Sequence, residues 1–261
     1  MAYEFIRFEI AEDHVAVVTL ARPERLNALH GPMLDELLDA VAAIERDDAI
    51  RVFLLCGAPR ADGRPCFGAG VDLRSFAEGS GVTTEQGFAL TNTIDDLLKP
   101  SIAVIDGVCT TGAVELALAC DLRLVGGSAQ ISDWHLKNLG TGLGAWGAST
   151  RWARLVGTTR AKEIILTGKV VDADEALRIG FATAAHDSSA LWSEALALAR
   201  TIAAMDPDGV RLTLAHLDRI GDMSRDEALR WAQLAPRWLG VRQSMRGKAD
   251  AVLGKAGAKK R

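Results

Sequence analysis

The sequence predicts an α/β fold that ends in a helical region. Short, wholly apolar runs at residues 52–56 and 102–105 are typical of strands covered on both faces. Patterns with helical spacing separate these runs, and such alternation favours a parallel, layered core. Strand patterns become scarce after about residue 145. We therefore predict an α/β core over residues 1–195 and a C-terminal helical region over residues 196–261.

The first half of the chain predicts a hairpin, a helix, a loop and a second helix in that order. Residues 3–10 alternate in character and residues 15–20 are mostly apolar, which predicts two strands joined by a turn. Pro32 fits the first turn of a helix, and apolar residues follow it at helical spacing. Residues 57–70, rich in glycine and proline, predict a loop. A helix near 84–98 then precedes the second buried strand.

The second half predicts a buried helix over 112–119 and a strand over 122–125. These are followed by helical patterns that form the C-terminal part of the chain. The further helices are expected over residues 158–166, 189–205, 207–217 and 224–253.

Composition narrows the class of protein. The chain has 261 residues, of which 49% are hydrophobic and 25% charged, as in ordinary globular proteins. A net charge of −4 argues against a general nucleic-acid binder, so no nucleic-acid partner is expected. Residues 246–261 are basic, which indicates either a solvated terminus or a segment that helps to hold the phosphates of a ligand.

Cysteine and histidine usage predicts no disulfide and no metal. Cysteines 56, 66, 109 and 120 show neither CxxC nor zinc spacing, which favours reduced thiols in a cytoplasmic protein. The five histidines show no metal-ligand spacing. Charged residues near the N-terminus argue against a signal peptide, and no uncharged apolar run is long enough to cross a membrane.

A first candidate motif is Cys66-Phe67-Gly68-Ala69-Gly70-Val71-Asp72-Leu73. The small residues before Val71 let a ligand approach the backbone and reach its N–H groups. The alternative is a tight loop with no further role.

A second candidate motif joins a buried strand to an apolar helix through the small residues at 106–112. Gly112 falls in the first helical turn, where N–H groups lack partners and the helix end is positive, so this end can stabilise an oxyanion. Glu115 follows one turn along among apolar neighbours, where a carboxylate is costly unless paired or protonated. It is therefore either a tuned acid–base group or the partner of an arginine elsewhere.

A third motif supports a rival hypothesis. Gly142, Gly144 and Gly147 form a GxGxxG pattern, the fingerprint of a dinucleotide-binding site, which would suit an NAD-dependent dehydrogenase. Residues 132–138 before it mix polar and apolar types and do not predict the strand that this fingerprint requires.

Four segments in order carry a family resemblance: Arg22-Pro23-Glu24-Arg25-Leu26-Asn27-Ala28-Leu29, the loop at 67–73, the strand-to-helix segment at 106–121, and the Leu-Thr-Gly with Glu-Ala segment at 166–180. Together they resemble the crotonase superfamily, the enoyl-CoA hydratase/isomerase family. The resemblance implies a crotonase-like spiral of repeated ββα units with a C-terminal helical trimerisation region, assembled as homotrimers or dimers of trimers. It also implies an acyl-CoA thioester substrate and no separate cofactor, because coenzyme A is part of the substrate.

The resemblance assigns roles to residues of this chain. The N–H groups of Val71 and Gly112 correspond to the family's oxyanion hole, and Glu115 to the first of the hydratases' two catalytic glutamates. Trp134 and His135 are expected to line the acyl pocket. The residues expected to bind the CoA part are Arg25, Leu26, Ala69, Gly70, Asp72 and Leu73.

The chain departs from the hydratases where their second glutamate lies, roughly twenty residues beyond the first. Residues 134–140 contain no glutamate, and Asp133 and His135 are the nearby substitutes. The Trp-His pair resembles the 4-chlorobenzoyl-CoA dehalogenases, but residues 141–150 lack the acid which that chemistry needs. An enoyl-CoA hydratase is therefore the leading hypothesis. An isomerase, which needs one base, is second, and a non-catalytic acyl-CoA binder is third.

Overall fold

A computed structural model describes residues 3–11, 13–79 and 81–238, together with Ala249 and Val252. The chain forms two compact units, Met1–Ala204 and Met205–Arg261. The predicted boundary after residue 195 would cut a helix that packs on the core, so the structure places the division later. Apart from Ala249 and Val252, the basic segment 246–261 lies outside the described residues.

Strands and helices alternate along the first unit, as predicted. The strands are β1 (Ile6–Ala11), β2 (Val15–Leu20), β3 (Val52–Gly57), β4 (Cys66–Gly68), β5 (Ser101–Ile105), β6 (Val108–Thr110), β7 (Leu122–Gly126), β8 (Gln130–Ser132), β9 (Val170–Val171) and β10 (Ala184–His186). The helices of both units are α1 (Gly31–Arg46), α2 (Leu73–Ala77), α3 (Thr84–Asp95), α4 (Gly112–Ala119), α5 (His135–Leu139), α6 (Ala148–Val156), α7 (Thr158–Thr167), α8 (Ala173–Arg178), α9 (Leu191–Ala203), α10 (Pro207–Leu217) and α11 (Arg225–Trp238).

The larger sheet has the strand order β1-β2-β3-β5-β7-β10. The predicted hairpin is present, since β1 and β2 pair antiparallel with Ile6 opposite Leu20. The remaining neighbours pair in parallel, as their continuous apolar character predicts.

A smaller sheet, in the order β4-β6-β8-β9, is the feature that residue patterns missed. The predicted loop 57–70 contains β4, and the predicted small-residue segment before Gly112 contains β6. Strands of three residues are too short to show a period, so only tertiary pairing reveals them. The first strand of each successive pair, β3–β4, β5–β6 and β7–β8, joins the larger sheet and the second joins the smaller sheet. A helix follows each pair. The spiral of ββα units implied by the resemblance is confirmed.

Helix α9 covers one face of the larger sheet. Leu191, Ala195, Ala199 and Ala203 recur every fourth residue and pack against a cluster that includes Leu54. The opposite face carries the larger apolar cluster, into which α1, α3 and α4 pack. Helix α4 is buried on every side, and this places Glu115 inside the core.

The second unit is helical over its described part. Helix α10 contacts α11, and the His216 ring stacks on Trp231 with a 4.9 Å centroid separation. Pro236 lies within α11, near the end of that helix.

Further observations concern the described residues only. No helix there is long and apolar enough to cross a membrane. No group of His, Cys, Asp or Glu side chains there is arranged to hold a metal ion. Three of the four cysteines, all of which have free thiols, are buried.

Candidate active site

A cavity of about 730 Å³ lies in the first unit and has a predominantly apolar wall. Segments following β4, β6 and β8 meet there with the loop between α5 and α6. Its lining residues include Leu26, Ala69, Val71, Leu73, Phe76, Thr111, Trp134, His135, Asn138, Gly144, Ala145 and Trp146. None of the described lining residues carries a carboxylate.

Two loops form one wall of the cavity, and Gly70 lets them pack together. Gly70 has φ +85°, and a Cβ placed on it would overlap Thr111 Oγ1. Thr111 itself has φ +48°, which is uncommon for a residue with a side chain. The two loops therefore approach at a distance that only a glycine permits.

The N–H of Val71 points away from its neighbouring strand segment. The Leu29 N–H donates to the Gly70 carbonyl at 2.7 Å, and the Asp72 N–H donates to the Leu29 carbonyl at 2.7 Å. In such a parallel bridge Val71, which lies between Gly70 and Asp72, directs its own N–H away from Leu29. Val71 lines the cavity, so its N–H is placed to serve a ligand there.

Gly112 begins α4, and its N–H falls among those that lack a partner within the helix. A Cβ on Gly112 would lie 3.4 Å from Val71 Cγ2 and 2.8 Å from the Trp146 ring. The structure thus brings the two predicted oxyanion residues together, with Trp146 closing the space beside them.

Glu115 is fully buried, and its partners are not arginines. Its Oε1 accepts hydrogen bonds from the Trp146 N–H at 2.6 Å and from the Ala148 N–H at 3.0 Å. Gly144 makes this approach possible, since a Cβ there would lie 2.6 Å from Oε1. The glycine-rich loop therefore wraps the carboxylate and holds it in one orientation.

His135 connects Glu115 to a second buried carboxylate. Its Nδ1 lies 2.8 Å from Asp133 Oδ1, and its Nε2 lies 3.3 Å from Glu115 Oε2. All three side chains are at most 2% exposed. Within the described residues, Asp133 Oδ2 has no hydrogen-bond partner, whereas Glu115 Oε2 and His135 Nε2 face each other as an ion pair.

The two carboxylates determine the charge of this histidine. Burial alone lowers the pKa of His135, but hydrogen bonding and charge from Asp133 and Glu115 outweigh it and raise the pKa to about 9. The ring is therefore a cation at neutral pH.

The residues predicted to bind CoA fall into two groups. Leu26, Ala69 and Leu73 line the cavity, and Gly70 shapes it, while Arg25 lies exposed beside Leu26. Asp72 does not line the cavity. Its carboxylate caps α2 by accepting from the Arg74 N–H and pairs with Arg22 at 3.1 Å.

Trp134 lines the cavity, and its Nε1–H donates to the Gly168 carbonyl at 2.9 Å. Sequence reasoning missed Trp146, which has no polar signature. It also gave Asp133 no firm role, because its contact with His135 is a tertiary property of the turn before α5.

The GxGxxG pattern lacks the context of a dinucleotide site. Gly142 follows helix α5, whereas the fingerprint requires a preceding strand. Gly144 serves instead to admit the Glu115 carboxylate.

The chain is similar to known proteins over most of its length. Residues 11–234 match the family described as enoyl-CoA hydratase/isomerase. A short-chain-enoyl-CoA hydratase from Clostridium acetobutylicum is 33% identical over 223 residues, covering 84% of this chain and 83% of that protein. A crotonyl-CoA hydratase from Syntrophomonas wolfei is 33% identical over 220 residues, covering 82% of each.

Solved structures share the fold. The crystal structure of an enoyl-CoA hydratase from Bacillus anthracis superposes with a TM-score of 0.83 at 28% identity, covering 94% of this chain and 97% of that one. A putative enoyl-CoA hydratase from Streptomyces coelicolor gives a TM-score of 0.84 at 29% identity, covering 100% and 93%. With its ββα spiral and most of its length matched, the chain belongs to the enoyl-CoA hydratase/isomerase family.

Proposed function

We propose that this protein reversibly adds water to a 2-enoyl-CoA thioester through an enolate. The observation that carries the proposal is the position of Glu115, a buried carboxylate one helical turn beyond Gly112 and in contact with the cavity-lining His135. A carboxylate so placed is an acid–base group beside a site for developing negative charge.

In this proposal the thioester oxygen accepts hydrogen bonds from the N–H groups of Val71 and Gly112. Negative charge moves onto that oxygen when water attacks Cβ, so donors fixed in advance lower the barrier. Removing one such donor typically costs about 3–4 kcal/mol of transition-state stabilisation. Glu115 accepts the proton that the attacking water loses.

The pantetheine and adenine of CoA are proposed to lie along Leu26, Ala69 and Leu73, with Arg25 at the exposed end. The apolar part of the wall, including Phe76 and Trp146, suits an acyl chain. The homotrimer or dimer of trimers implied by the resemblance stays a prediction, which the mass of the protein in solution tests.

Isomerisation of the double bond is the second candidate. The absence of a carboxylate among the described cavity-lining residues favours chemistry with a single base, which removes a proton at one carbon and returns it at another.

Mass spectrometry of 2-enoyl- and 3-enoyl-CoAs incubated with the protein in deuterated water separates these reactions. Addition of water supports the hydratase, whereas deuterium uptake without water addition supports the isomerase. Neither change on any chain length, with acyl-CoA still bound, would favour a non-catalytic binder.

Glu115→Gln tests the role of the carboxylate. We expect kcat to fall about 10²- to 10⁴-fold, with KM changed little, because the neutral amide cannot accept the proton. Glu45→Gln, at an exposed position of α1, is the matched control. Full activity in Glu115→Gln would contradict the proposal.

A further inference from the structure

The indole of Trp146 lies in the cavity wall and reaches from one helix to another. A Cβ on Gly112, the first residue of α4, would lie 2.8 Å from Cζ3 on the six-membered ring of the indole. A Cβ on Gly87, within α3, would overlap the opposite edge of the indole, at Nε1, Cε2 and Cδ1. The ring therefore fills the space between α3 and α4, beside the helix end that is proposed to receive the thioester oxygen.

Gly87 provides the room for this ring. It lies buried inside α3, and its N–H donates to the Thr83 carbonyl at 3.2 Å as in an ordinary helical turn. A glycine within a helix is destabilising relative to alanine. The place that the Cβ of any other residue would take is occupied by the indole. The sequence thus keeps a helix-destabilising residue at the point where Trp146 needs space.

The indole is also held firmly in place. The Trp146 N–H donates to Glu115 Oε1 at 2.6 Å, and its carbonyl accepts from Arg151 Nη1 at 2.7 Å and from the Thr91 hydroxyl at 3.4 Å. Trp146 is 1% exposed and belongs to the larger apolar cluster. The ring cannot be displaced unless α3, α4 or the Glu115 carboxylate moves with it.

We propose that Trp146 limits the length of the acyl group at this site, so that the protein takes short-chain acyl-CoA thioesters. The inference deepens the proposed function and rests on its assignment of an acyl-CoA substrate. A thioester oxygen that accepts from the Gly112 N–H places the carbonyl carbon close to Gly112, and the indole contacts Gly112 directly. The acyl chain therefore meets the ring within its first few carbons.

The dependence of binding on chain length distinguishes this arrangement from an open apolar groove. Each methylene buried against an apolar wall strengthens binding by about 4-fold. A chain that runs along an open groove gains this factor at every added carbon. A chain that meets a closely packed indole gains nothing, because a well-packed interior has no space for further carbons. The affinity should therefore stop rising, and then fall, once the chain reaches Trp146.

The test measures the dissociation constants of butanoyl-, hexanoyl-, octanoyl- and decanoyl-CoA by isothermal titration calorimetry. These saturated thioesters cannot add water, so the measurement does not depend on turnover. We expect the wild-type protein to bind butanoyl-CoA more tightly than octanoyl-CoA, and Trp146→Ala to reverse that order. The ratio of the two Kd values should shift by about 10- to 10²-fold. The ratio of kcat/KM on 2-butenoyl- and 2-octenoyl-CoA should shift in the same direction.

Trp152→Ala is the matched control. Trp152 on α6 is also fully buried in the larger apolar cluster, but it does not line the cavity. Its truncation should lower stability and leave the order of affinities as in the wild-type protein. If Trp146→Ala does not fold, Trp146→Phe decides, with Trp152→Phe as its control. The smaller ring should shift the ratio in the same direction by a smaller factor.

An unchanged ratio in the Trp146 variant would overturn the inference, as would a wild-type affinity that rises steadily from butanoyl- to decanoyl-CoA. The proposed function stands in either case if the wild-type protein hydrates 2-butenoyl-CoA. A shifted ratio in a protein that neither hydrates nor isomerises any enoyl-CoA would support the inference and contradict the proposed reaction. A protein that binds no acyl-CoA would overturn both.

Discussion

The two walls of the cavity differ in how they are built. The wall formed by residues 69–71 and 110–112 presents backbone N–H groups and owes its shape to close steric contact at Gly70 and Gly112. The other wall, called the charged wall, is formed by His135, and the buried carboxylates of Glu115 and Asp133 lie behind it.

This difference separates two kinds of sensitivity. Backbone donors carry no titrating charge, so their contribution depends on position and is insensitive to pH. The charged wall depends on mutual distances of 2.8 and 3.3 Å, so its protonation changes when any one member changes. The pH dependence of variants that disturb only one wall can therefore distinguish the contribution of the backbone donors from that of the charged side chains.

Of the three substitutions that separate the two walls, Gly70→Ala, which disrupts the backbone wall, is expected to have the largest effect. A Cβ would overlap Thr111 Oγ1 and push the two loops apart, so the thioester oxygen would lose at least one donor. We expect kcat on 2-enoyl-CoA to fall about 10²- to 10³-fold, with the pH profile unchanged.

Gly63→Ala is the matched control for this change. Gly63 has nearly the same positive φ, +82° against +85°, but a Cβ there meets nothing within 4 Å. The control carries the backbone strain without the collision. Equal kinetics in the two variants would show that loop contact at Gly70 does not matter to the reaction.

An intermediate effect is expected from Gly144→Ala, which disturbs the charged wall from outside. The new Cβ would lie 2.6 Å from Glu115 Oε1 and 2.5 Å from Ala148 Cβ, so the carboxylate must shift. A displacement of this kind can cost up to about 10²-fold in kcat. Stopped-flow kinetics measured across pH would detect both the loss of rate and a change in its pH dependence. Gly180→Ala, with φ +82° and open space around the new Cβ, is the control.

The smallest effect is expected at Asp72, at the edge of the backbone wall. Asp72→Asn retains a cap for α2 but removes the charge that pairs with Arg22, both side chains being about 10% exposed. We expect the free energy of unfolding to fall by about 1–3 kcal/mol in urea titrations, with kcat unchanged. Asp174→Asn, exposed on α8, is the control. A raised KM with unchanged stability would instead favour the predicted role of Asp72 in binding CoA.

Residue patterns predicted the helices and strands that are long enough to show a clear hydrophobic period. Helix α4 begins and ends at the predicted residues, and the hairpin and the long helices lie close to their predicted positions. The smaller sheet escaped because three-residue strands have no measurable period. The division between units fell later than predicted because α9 belongs to the core through packing that spacing alone does not assign.

The sequence by itself determined the family, the ββα spiral, and the candidates Val71, Gly112 and Glu115, because short ordered motifs and a lone acid in an apolar helix are local signals. Only the tertiary structure decided that no arginine in the described part of the chain pairs with Glu115, that Gly144 leaves room for its carboxylate, and that His135 bridges it to Asp133. These are contacts between residues 20 to 33 positions apart, or through a turn, and they depend on how the chain folds back on α4. The charge of the site therefore depends on tertiary contacts, although the residues that carry it can be identified in the sequence.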